Sequence, residues 1–470
     1  MQAKTQVRSH VRRQLLAVPD LLALSERFPK KFPYLLESSA RGPLGTRSLL
    51  FFAGEDILVL HPGGGLSGPG EGDSFFDRLN QWYQLEAVPD ESVETDPPFI
   101  GGWFIYLGYE AVGEIEPTLE LPANSTGLPD ALAHRCPAAI IIDHHESDPS
   151  LDRACVVAET EELLDEVLEI LGSAESAECL AASRFTSDLE QLNEENPQQF
   201  IDSVNRIHQY LLAGDVFQVN VSRPWSGTFT AVVDATRLYR SLRKSNPAPF
   251  AGFFRWADCV MLSSSPERLV QTRGNRVQTR PIAGTRPRGG SLEHDQALSR
   301  ELIGNLKERA EHVMLIDLER NDLGRVCQPG TIEVNELMVV ETYAHVHHIV
   351  SNVRGVLQPD ASPVDAIRAV FPGGTITGCP KVRCMEIIAE LEQQGRAYYT
   401  GSMGYLGRDG QMDLNILIRS ILLKGRNFSF RTGAGIVADS VPEHEVAETR
   451  DKARGLLLAL QPQGVEIENA

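Results

Sequence analysis

The chain contains 470 residues, of which 42% are hydrophobic, and it carries a formal net charge of -20. This length and apolar content support a large core and suggest two or three domain-sized units, although single large folds of this length exist. The acidic balance argues against nucleic acid or an anionic membrane as a partner, because both require a cationic surface.

The cysteines and the N-terminus indicate a cytoplasmic protein. The seven cysteines are scattered and include no CxxC pair, which is typical of a reducing compartment. The basic and then apolar N-terminus is interrupted by Pro19 and Asp20, unlike a signal peptide. No apolar run reaches the length of a membrane span, so we expect no association with a membrane.

The first part of the chain alternates short apolar runs with polar turns. Residues 30–60 contain two such runs and predict strands. GGWFIYL, from residue 101, and PAAIIID, from residue 137, predict further strands. The glycine-rich stretch 61–72 lacks the lysine and threonine of a phosphate-binding loop, so it predicts a flexible connection.

A change of composition marks the best domain boundary. Residues 159–196 pass from a helical pattern to polar, loop-like sequence. We therefore divide the chain into an N-terminal region, 1–190, and a catalytic region, 191–470.

The catalytic region opens with a helix followed by a strand. Phe200, Val204, Ile207 and Leu211 recur at helical spacing, and Gly214 marks the end of the helix. The segment FQVNVS comes next and predicts a strand.

Two pairs of carboxylates lie on predicted helices. Glu308 and Glu311 are three residues apart and share a helix face, as do Glu445 and Glu448, with Lys452 four residues further on. Two such helices could hold a divalent cation such as magnesium, which prefers oxygen ligands and could bind a substrate carboxylate. Each pair by itself is equally typical of a solvated helix face.

Six segments of the catalytic region resemble the chorismate-utilising enzymes, a family that includes the anthranilate, aminodeoxychorismate, isochorismate and salicylate synthases. Their order and spacing match that family over residues 195–460. The N-terminal region matches more loosely, through PYLLESS and GGWFIYLGYE. The six segments are SSSPERLV, RPIAGTRPRG, KERAEHVMLIDLERNDLGR, FPGGTITGCPKVRCMEII, GSMGYLGRDGQMDLNILIRS and GAGIVADSVPEHEVAETRDKA.

The resemblance implies a mixed α/β fold of the anthranilate synthase component I type. Layered antiparallel β-sheets would be flanked by helices, with the active site in a central cleft. Glu311 and Glu448 would bind Mg²⁺, and Glu308 and Glu445 would bind it directly or through water. Chorismate would chelate this ion through its ring carboxylate.

The same resemblance assigns residues that hold the substrate. Gly433, Ala434 and Gly435 resemble a segment whose backbone N–H groups receive a carboxylate, a role that suits small residues. Tyr399 and Arg419 resemble the residues that bind the enolpyruvyl carboxylate, and the forked donors of arginine fit that group.

Three further residues resemble the family's proton-transfer and leaving-group machinery. His348 would lie near the departing ring hydroxyl, and Thr375 would hydrogen-bond in the same pocket. Glu267 resembles the carboxyl group of acid–base catalysis, although an ordinary salt bridge with Arg268 or another cation is an alternative. Lys452 would supply another cationic contact to the substrate.

One position indicates the nucleophile. Isochorismate and salicylate synthases carry a lysine in the strand after the first catalytic-region helix, whereas this chain has Gln218. An amide cannot act as a base at neutral pH, so the resemblance implies ammonia as the nucleophile.

The ring carbon that is aminated is less clearly indicated. SNPAPFAGFF, PGGTITG and MDLNILIRS resemble aminodeoxychorismate synthases, which make 4-amino-4-deoxychorismate for p-aminobenzoate and folate. PIAGT instead places Ala283 where many of those enzymes have a lysine, which is proposed to attack carbon 2 and form a covalent intermediate. Alanine has no nucleophile for this covalent route. Ala283 leaves anthranilate synthase, of tryptophan biosynthesis, as the alternative. The segment LLES (35–38) resembles part of the regulatory site of that enzyme, but such segments also occur in aminodeoxychorismate synthases.

Ammonia would come from a partner subunit. Cys379 lies before a proline, without the setting of a nucleophilic cysteine, so we expect a separate glutamine amidotransferase and a heterodimer. A non-catalytic scaffold that keeps the fold is a further alternative, but it predicts loss of one or more of the four glutamates, all of which are present.

Overall fold

The computed structural model describes residues 10–42, 44–89, 97–175, 188–288, 291–342 and 346–461. These residues form ten α-helices and twenty-three β-strands. The helices are α1 Leu21–Arg27, α2 Phe75–Glu86, α3 Glu161–Glu175, α4 Pro197–Ala213, α5 Ala235–Ser245, α6 Leu292–Gly304, α7 Leu306–Gly324, α8 Pro363–Val370, α9 Lys381–Glu392 and α10 Pro442–Leu460. The strands are β1 Val11–Gln14, β2 Tyr34–Glu37, β3 Arg47–Phe52, β4 Ile57–Leu60, β5 Leu66–Ser67, β6 Gly102–Leu107, β7 Ala131–Cys136, β8 Ala138–Asp143, β9 Arg153–Ala158, β10 Leu189–Glu194, β11 Gln218–Phe229, β12 Phe250–Trp256, β13 Cys259–Ser265, β14 Arg268–Arg273, β15 Arg276–Thr279, β16 Ile282–Pro287, β17 Glu333–Thr342, β18 Val346–Val356, β19 Gly378–Cys379, β20 Ser402–Gly407, β21 Met412–Asn415, β22 Ser420–Lys424 and β23 Asn427–Ile436.

The strands form two large antiparallel sheets. Within the described ranges, the first sheet has twelve strands in the order β1-β9-β8-β3-β2-β12-β13-β22-β23-β11-β10, with β19 beside β11. The second has eleven, in the order β16-β18-β15-β14-β21-β20-β6-β7-β4-β5, with β17 beside β18. The predicted mixed fold of layered antiparallel sheets flanked by helices is confirmed.

The sheets pack face to face because their central strands are apolar on both sides. In β3, Leu50 and Phe52 join the core beneath α1, α3, α5 and α10, whereas Leu49 and Phe51 join a second core between the sheets. This division follows from the alternation of side chains along a strand. On the outer face of the second sheet, a third core lies beneath α2, α7 and α8.

The predicted elements of the N-terminal region agree with the structure. The apolar runs of residues 30–60 form β2, β3 and β4, and those beginning at residues 101 and 137 form β6 and β8. The helix predicted from residue 159 is α3 as far as Glu175, and its remainder lies outside the described residues.

Both sheets draw strands from each of the predicted regions. β2 pairs with β12, and β6 pairs with β20, across the proposed division at residue 191. The core between the sheets also contains residues from both sides of residue 191. The division itself remains a prediction from composition.

The opening helix of the catalytic region is confirmed. α4 begins after Asn196, whose side chain accepts from Gln198 N, and it has Pro197 in its first turn. It ends at Gly214, whose φ of 79° lies in the left-handed region that glycine adopts without steric cost. β11 then places Gln218 at its first position.

Candidate active site

A glycine-containing segment of β23 provides close access to the backbone. Gly433 and Gly435 lie opposite Ser222 and Asn220 of β11. A Cβ on Gly435 would lie 2.3 Å from Gln218 Nε2, and one on Gly433 would lie 2.8 Å from the Tyr399 hydroxyl oxygen. Any larger residue would therefore displace the side chains of Gln218 and Tyr399.

The residue between these glycines has a different environment. Ala434 pairs with Val221 and is 1% exposed, in a core formed with α4 and α9. Its side chain therefore supports the strand from behind.

Burial raises the pKa of Tyr399 to about 12, so its hydroxyl remains a proton donor at neutral pH.

Glu267 and Thr375 form a hydrogen-bonded pair. Thr375 Oγ1 donates to Glu267 Oε1 over 2.8 Å. Burial raises the pKa of Glu267 to about 7, although Thr375 and the charge of Arg419 oppose the shift. A carboxyl group that titrates near neutral pH suits acid–base catalysis.

The alternative salt bridge between Glu267 and Arg268 is wrong. Arg268 is committed to Asp413, with Nε–Oδ1 and Nη2–Oδ2 distances of 2.8 and 2.9 Å. Successive side chains of an extended chain point to opposite sides, which separates Glu267 from its neighbour.

His348 lies on β18, opposite Thr285 of β16. Burial lowers the pKa of His348 to about 3, and the charge of Arg419 contributes, while a hydrogen bond with the Gly284 backbone opposes the shift. The imidazole is therefore neutral at pH 7 and can donate a hydrogen bond without acting as a cationic acid. Ala283, 6% exposed, is paired with Ile349 next to it.

Two cations act on Glu267. Arg419 precedes β22 with a φ of 50°, in the left-handed region that non-glycine residues seldom adopt. Its charge, like that of Lys452, lowers the pKa of Glu267. Lys452 also donates to the Gly433 carbonyl over 3.0 Å. The structure thus brings Glu267, Thr375, His348, Arg419 and Lys452 into one electrostatically coupled site.

The predicted metal ligands of α7 contact this site. Gln218 Nε2 donates to Glu311 Oε1 over 3.0 Å. Glu308 Oε1 lies 2.8 Å from Arg286 Nη2, whereas its Oε2 is buried without a hydrogen-bond partner among the described residues. A Cβ on Gly284 would lie 2.2 Å from that Oε2, so the glycine leaves room for the carboxylate.

The ligands predicted on α10 approach the same glycine-containing segment. Glu448 Oε1 lies 2.7 Å from Lys452 Nζ, and Lys452 is the residue bonded to the Gly433 carbonyl. Glu445 is half-buried in the first turn of the helix. The predicted helical faces of both pairs are confirmed.

The four carboxylates are not assembled as a finished metal site. Over the described ranges, no group of three or more His, Cys, Asp or Glu side chains is placed to hold a metal ion. Their oxygen chemistry and the unpartnered Glu308 Oε2 fit a hard cation such as Mg²⁺. The magnesium site therefore remains a prediction.

Sequence patterns did not single out two buried charge clusters beside this site. Glu392 and Arg396 are each 2% exposed, although their four-residue spacing is typical of a solvated helix face. Lys381 Nζ lies 2.6 Å from Asp322 Oδ2, near Glu319, whose pKa burial raises to about 8. No local pattern reveals such clusters, because they also need distant partners: Asp322 and Glu319 lie on α7, far in sequence from Lys381 on α9, and the second cation on Glu392 is Arg431 of β23.

Comparisons with known proteins agree with this geometry. A family model described as chorismate binding enzyme matches residues 61–458. The chain belongs to this family.

Three similar proteins refine the comparison. An anthranilate synthase component I-like protein of Synechocystis sp. is 44% identical over 83% of this chain and 79% of its own length. Aminodeoxychorismate synthase component 1 of Bacillus subtilis is 41% identical over 83% of each chain. The crystal structure of anthranilate synthase component I from Streptococcus pneumoniae has a TM-score of 0.76 and 31% identity, covering 87% of this chain and 91% of that one.

The chain is accordingly an enzyme of the anthranilate and aminodeoxychorismate synthase group of chorismate-binding enzymes. This finding is incompatible with the non-catalytic scaffold. Within the described ranges, no helix is both long and apolar enough to cross a membrane.

Proposed function

We propose that this chorismate-binding enzyme aminates chorismate at carbon 4 in a magnesium-dependent reaction, giving 4-amino-4-deoxychorismate for p-aminobenzoate and folate. The observation that carries amination is the position of Gln218. Its amide is 2% exposed and bonded to Glu311, beside Gly435. No base for activating water stands at this position, so a nucleophile that is already basic, ammonia, suits the site.

The cations of the site suit a substrate with two carboxylates. Arg419 and Lys452 both act on the Glu267 carboxyl group, and the Tyr399 hydroxyl lies beside Gly433. Arg419 and Tyr399 would bind the enolpyruvyl carboxylate, with Lys452 and the backbone N–H groups of the glycine-containing segment available to the ring carboxylate.

Glu308, Glu311, Glu445 and Glu448 would hold Mg²⁺. When bound, the ion would offset the charge of the ring carboxylate and stabilise negative charge on the substrate. Glu267, hydrogen-bonded to Thr375, would transfer a proton as the ring hydroxyl departs, and the neutral His348 would donate a hydrogen bond to that group.

Ammonia would be supplied by a separate glutamine amidotransferase in the cytoplasm. This part of the proposal rests on the component I names of the relatives and on the setting of Cys379, which lies half-buried before Pro380 with a pKa raised by burial. A thiol of raised pKa is a poor nucleophile for releasing ammonia from glutamine.

The choice of carbon 4 rests on the segments SNPAPFAGFF, PGGTITG and MDLNILIRS. Ala283 favours anthranilate synthase as a second candidate, because it supplies no nucleophile beside His348. The segment LLES does not separate the two enzymes, because it resembles part of the anthranilate synthase regulatory site but also occurs in aminodeoxychorismate synthases. Its Glu37 and Ser38 line a separate cavity together with Pro249 and Phe250.

One incubation separates these activities. The purified chain is mixed with chorismate, a magnesium salt and an ammonium salt, and the product is identified by mass spectrometry and NMR. We expect 4-amino-4-deoxychorismate, which yields p-aminobenzoate only after a lyase is added. Fluorescent anthranilate would overturn the assignment to carbon 4, and isochorismate would overturn amination. Glu311→Gln should abolish turnover, whereas Glu443→Gln, on an exposed part of α10, should not.

A further inference from the structure

Arg396 is a fully hydrogen-bonded buried cation behind the active site. Its side chain is 2% exposed. Nε and Nη2 donate to Glu392 over 3.1 and 2.6 Å, and Nη2 also donates to the Asn220 carbonyl over 2.8 Å. Nη1 donates to the Ile376 carbonyl and to Thr400 Oγ1 over 3.4 and 3.3 Å. All five N–H groups of the guanidinium therefore have acceptors.

These acceptors are neighbours of the predicted substrate-contacting residues. Asn220 lies two residues after Gln218 on β11, Ile376 follows Thr375, and Thr400 follows Tyr399. The guanidinium carbon also lies 5.6 Å from the centre of the Tyr399 ring. The rigid, planar guanidinium group of Arg396 thus connects three separate segments, each of which contains a predicted site residue.

Glu392 extends the connection to the glycine-containing segment. Its Oε1 accepts from the backbone N and the hydroxyl of Ser222, each over 2.8 Å. Its Oε2 accepts from Arg431 Nη2 over 2.7 Å, and Arg431 lies two residues before Gly433 on β23. Burial alone would raise the pKa of Glu392, yet Arg396 and Arg431 hold it below its ordinary value, so the carboxylate stays ionised.

The turn that carries Tyr399 is strained and needs such support. Ala397 and Thr400 have φ values of 50° and 62°, in the left-handed region. Non-glycine residues remain there only where surrounding contacts hold them. Glu110 Oε1 accepts from the backbone N of Arg396 and of Ala397, over 2.7 and 3.1 Å, and fixes the start of the turn.

We infer that Arg396, locked by Glu392, is a positioning residue that sets the relative placement of Tyr399, Thr375, Gln218 and the glycine-containing segment around chorismate. The inference rests on the proposed turnover of chorismate, but not on which ring carbon is aminated. Arg396 acts through the Asn220 and Ile376 carbonyls and the Thr400 side chain, each next to or near a predicted site residue, and not on the reacting atoms.

The test compares two buried arginines replaced by lysine. Lysine keeps the charge but loses the planar fork, so Arg396→Lys can pair with Glu392 and cannot satisfy all five acceptors. Its matched control is Arg135→Lys, because Arg135 is also buried, binds Glu86 and Glu159, and lies 5.3 Å from the centre of the Trp103 ring. Chorismate consumption with ammonium and magnesium salts is measured for both variants, together with the melting temperature.

We expect Arg396→Lys to lower kcat by about 100-fold, the size of loss caused by misplacing reacting groups by about 1 Å. KM should change less than kcat, because the cationic contacts of Arg419 and Lys452 remain. Arg135→Lys should lose stability while keeping kcat per folded molecule. Equal kcat losses in the two variants, or a folded Arg396→Lys with unchanged kcat, would overturn the inference.

A milder variant covers the case in which Arg396→Lys does not fold. Ser222→Ala removes the hydroxyl that donates to Glu392 and accepts from Arg431 Nε. The backbone donor of residue 222 and the contacts of Glu392 with both arginines remain. It should lower kcat in the same direction with a smaller loss of melting temperature than Arg396→Lys, and an unchanged kcat would count against positioning.

A second readout distinguishes this inference from the proposed function. Binding of chorismate in the presence of magnesium is measured by calorimetry for the unaltered chain and for Ser222→Ala. If the unaltered chain binds chorismate but never aminates it, the proposed function is refuted and the positioning inference is not. Weaker binding by Ser222→Ala would still support positioning, and identical binding together with unchanged kcat would refute it.

Discussion

Burial determines the protonation of the residues that resemble the family's proton-transfer groups. Glu267 is 6% exposed and has a pKa of about 7, while His348 is 3% exposed and has a pKa of about 3. Desolvation favours the neutral form of both groups, so it raises the pKa of the carboxyl group and lowers the pKa of the imidazole. At pH 7 the carboxyl group is therefore the better candidate for proton transfer.

Glu267→Gln is expected to remove this proton transfer. The amide can still accept the hydrogen bond of Thr375, so the pocket should keep its shape. We expect kcat/KM to fall by about 100-fold or more, the usual contribution of general acid–base catalysis. The pH profile of the unaltered enzyme should show an ionisation near 7 that is missing in the variant. A profile with the same ionisation in both would contradict the role of Glu267.

The same variant should be more stable than the unaltered enzyme at alkaline pH. The folded state raises the pKa of Glu267 from 4.5 to about 7, so its stabilising effect is complete below pH 4.5 and is lost as the pH rises through 7. At pH 8 the ionised carboxylate costs about 3 kcal/mol that glutamine avoids. Denaturant unfolding at pH 5 and pH 8 measures the difference, which should be larger at pH 8. An equal difference at both pH values would contradict the raised pKa.

Gly435→Ala is expected to damage the site more than the fold. The added methyl group would lie 2.3 Å from Gln218 Nε2, and this amide would have to move away from Glu311. Turnover should fall by about tenfold or more, because a buried polar group loses its partner. Gly172→Ala is the matched control, since a Cβ there meets nothing within 4 Å and α3 gains a better helix former. Activity that falls equally in both variants would argue against this explanation.

At the scale of elements, the two glutamate helices approach the site from different sheets. α7 packs over the sheet that contains β16 and β18, and α10 packs against β23 of the other sheet. Glu311 reaches Gln218, and Glu448 is linked through Lys452 to Gly433. A cation between these helices would join the two sheets at the site.

Magnesium binding should therefore stabilise the fold in a way that depends on both helices. A ligand present at about 100 times its Kd adds about 2.7 kcal/mol to the free energy of unfolding. We expect the melting temperature of the unaltered chain to rise with magnesium, and the rise to disappear in Glu311→Gln and Glu448→Gln. Glu443→Gln is exposed on α10 and should keep the rise. A rise that survives in both ligand variants would contradict the predicted metal site.

At the scale of the whole molecule, the two regions depend on each other for hydrogen bonding and for the core. β12 pairs with β2, and β20 pairs with β6, so cutting the chain near residue 191 would expose the edges of two central strands. Exposed central edges pair readily with other chains. The core between the sheets would also lose Phe51, Phe104 and Ile141.

A fragment of residues 191–470 is expected to aggregate and to bind no chorismate, although it contains every predicted site residue. Co-expression with the fragment of residues 1–190 should restore soluble protein, because the strand pairings are re-formed. Size-exclusion chromatography and chorismate binding measure both outcomes. A monomeric fragment with native circular dichroism would instead establish the catalytic region as an independent domain.

Local patterns predicted most of the elements that carry the site. α4, the face shared by Glu308 and Glu311, and the face shared by Glu445, Glu448 and Lys452 follow from helical spacing alone. The salt bridge between Glu267 and Arg268, one form of the alternative for Glu267, is wrong because Arg268 pairs with Asp413 of β21, 145 residues away. Spacing carries no information about such a partner.

Motifs and periodicity identified the family, the alternation of strands and helices, and the candidate catalytic residues, since motifs and periodicity involve residues close together along the chain. The tertiary structure alone decided which of those residues are charged and what surrounds them. Desolvation, which sets the pKa values of Glu267 and His348, depends on burial by residues that are distant along the chain. The five acceptors around Arg396 likewise come from segments up to 176 residues away, and only the folded chain brings them together.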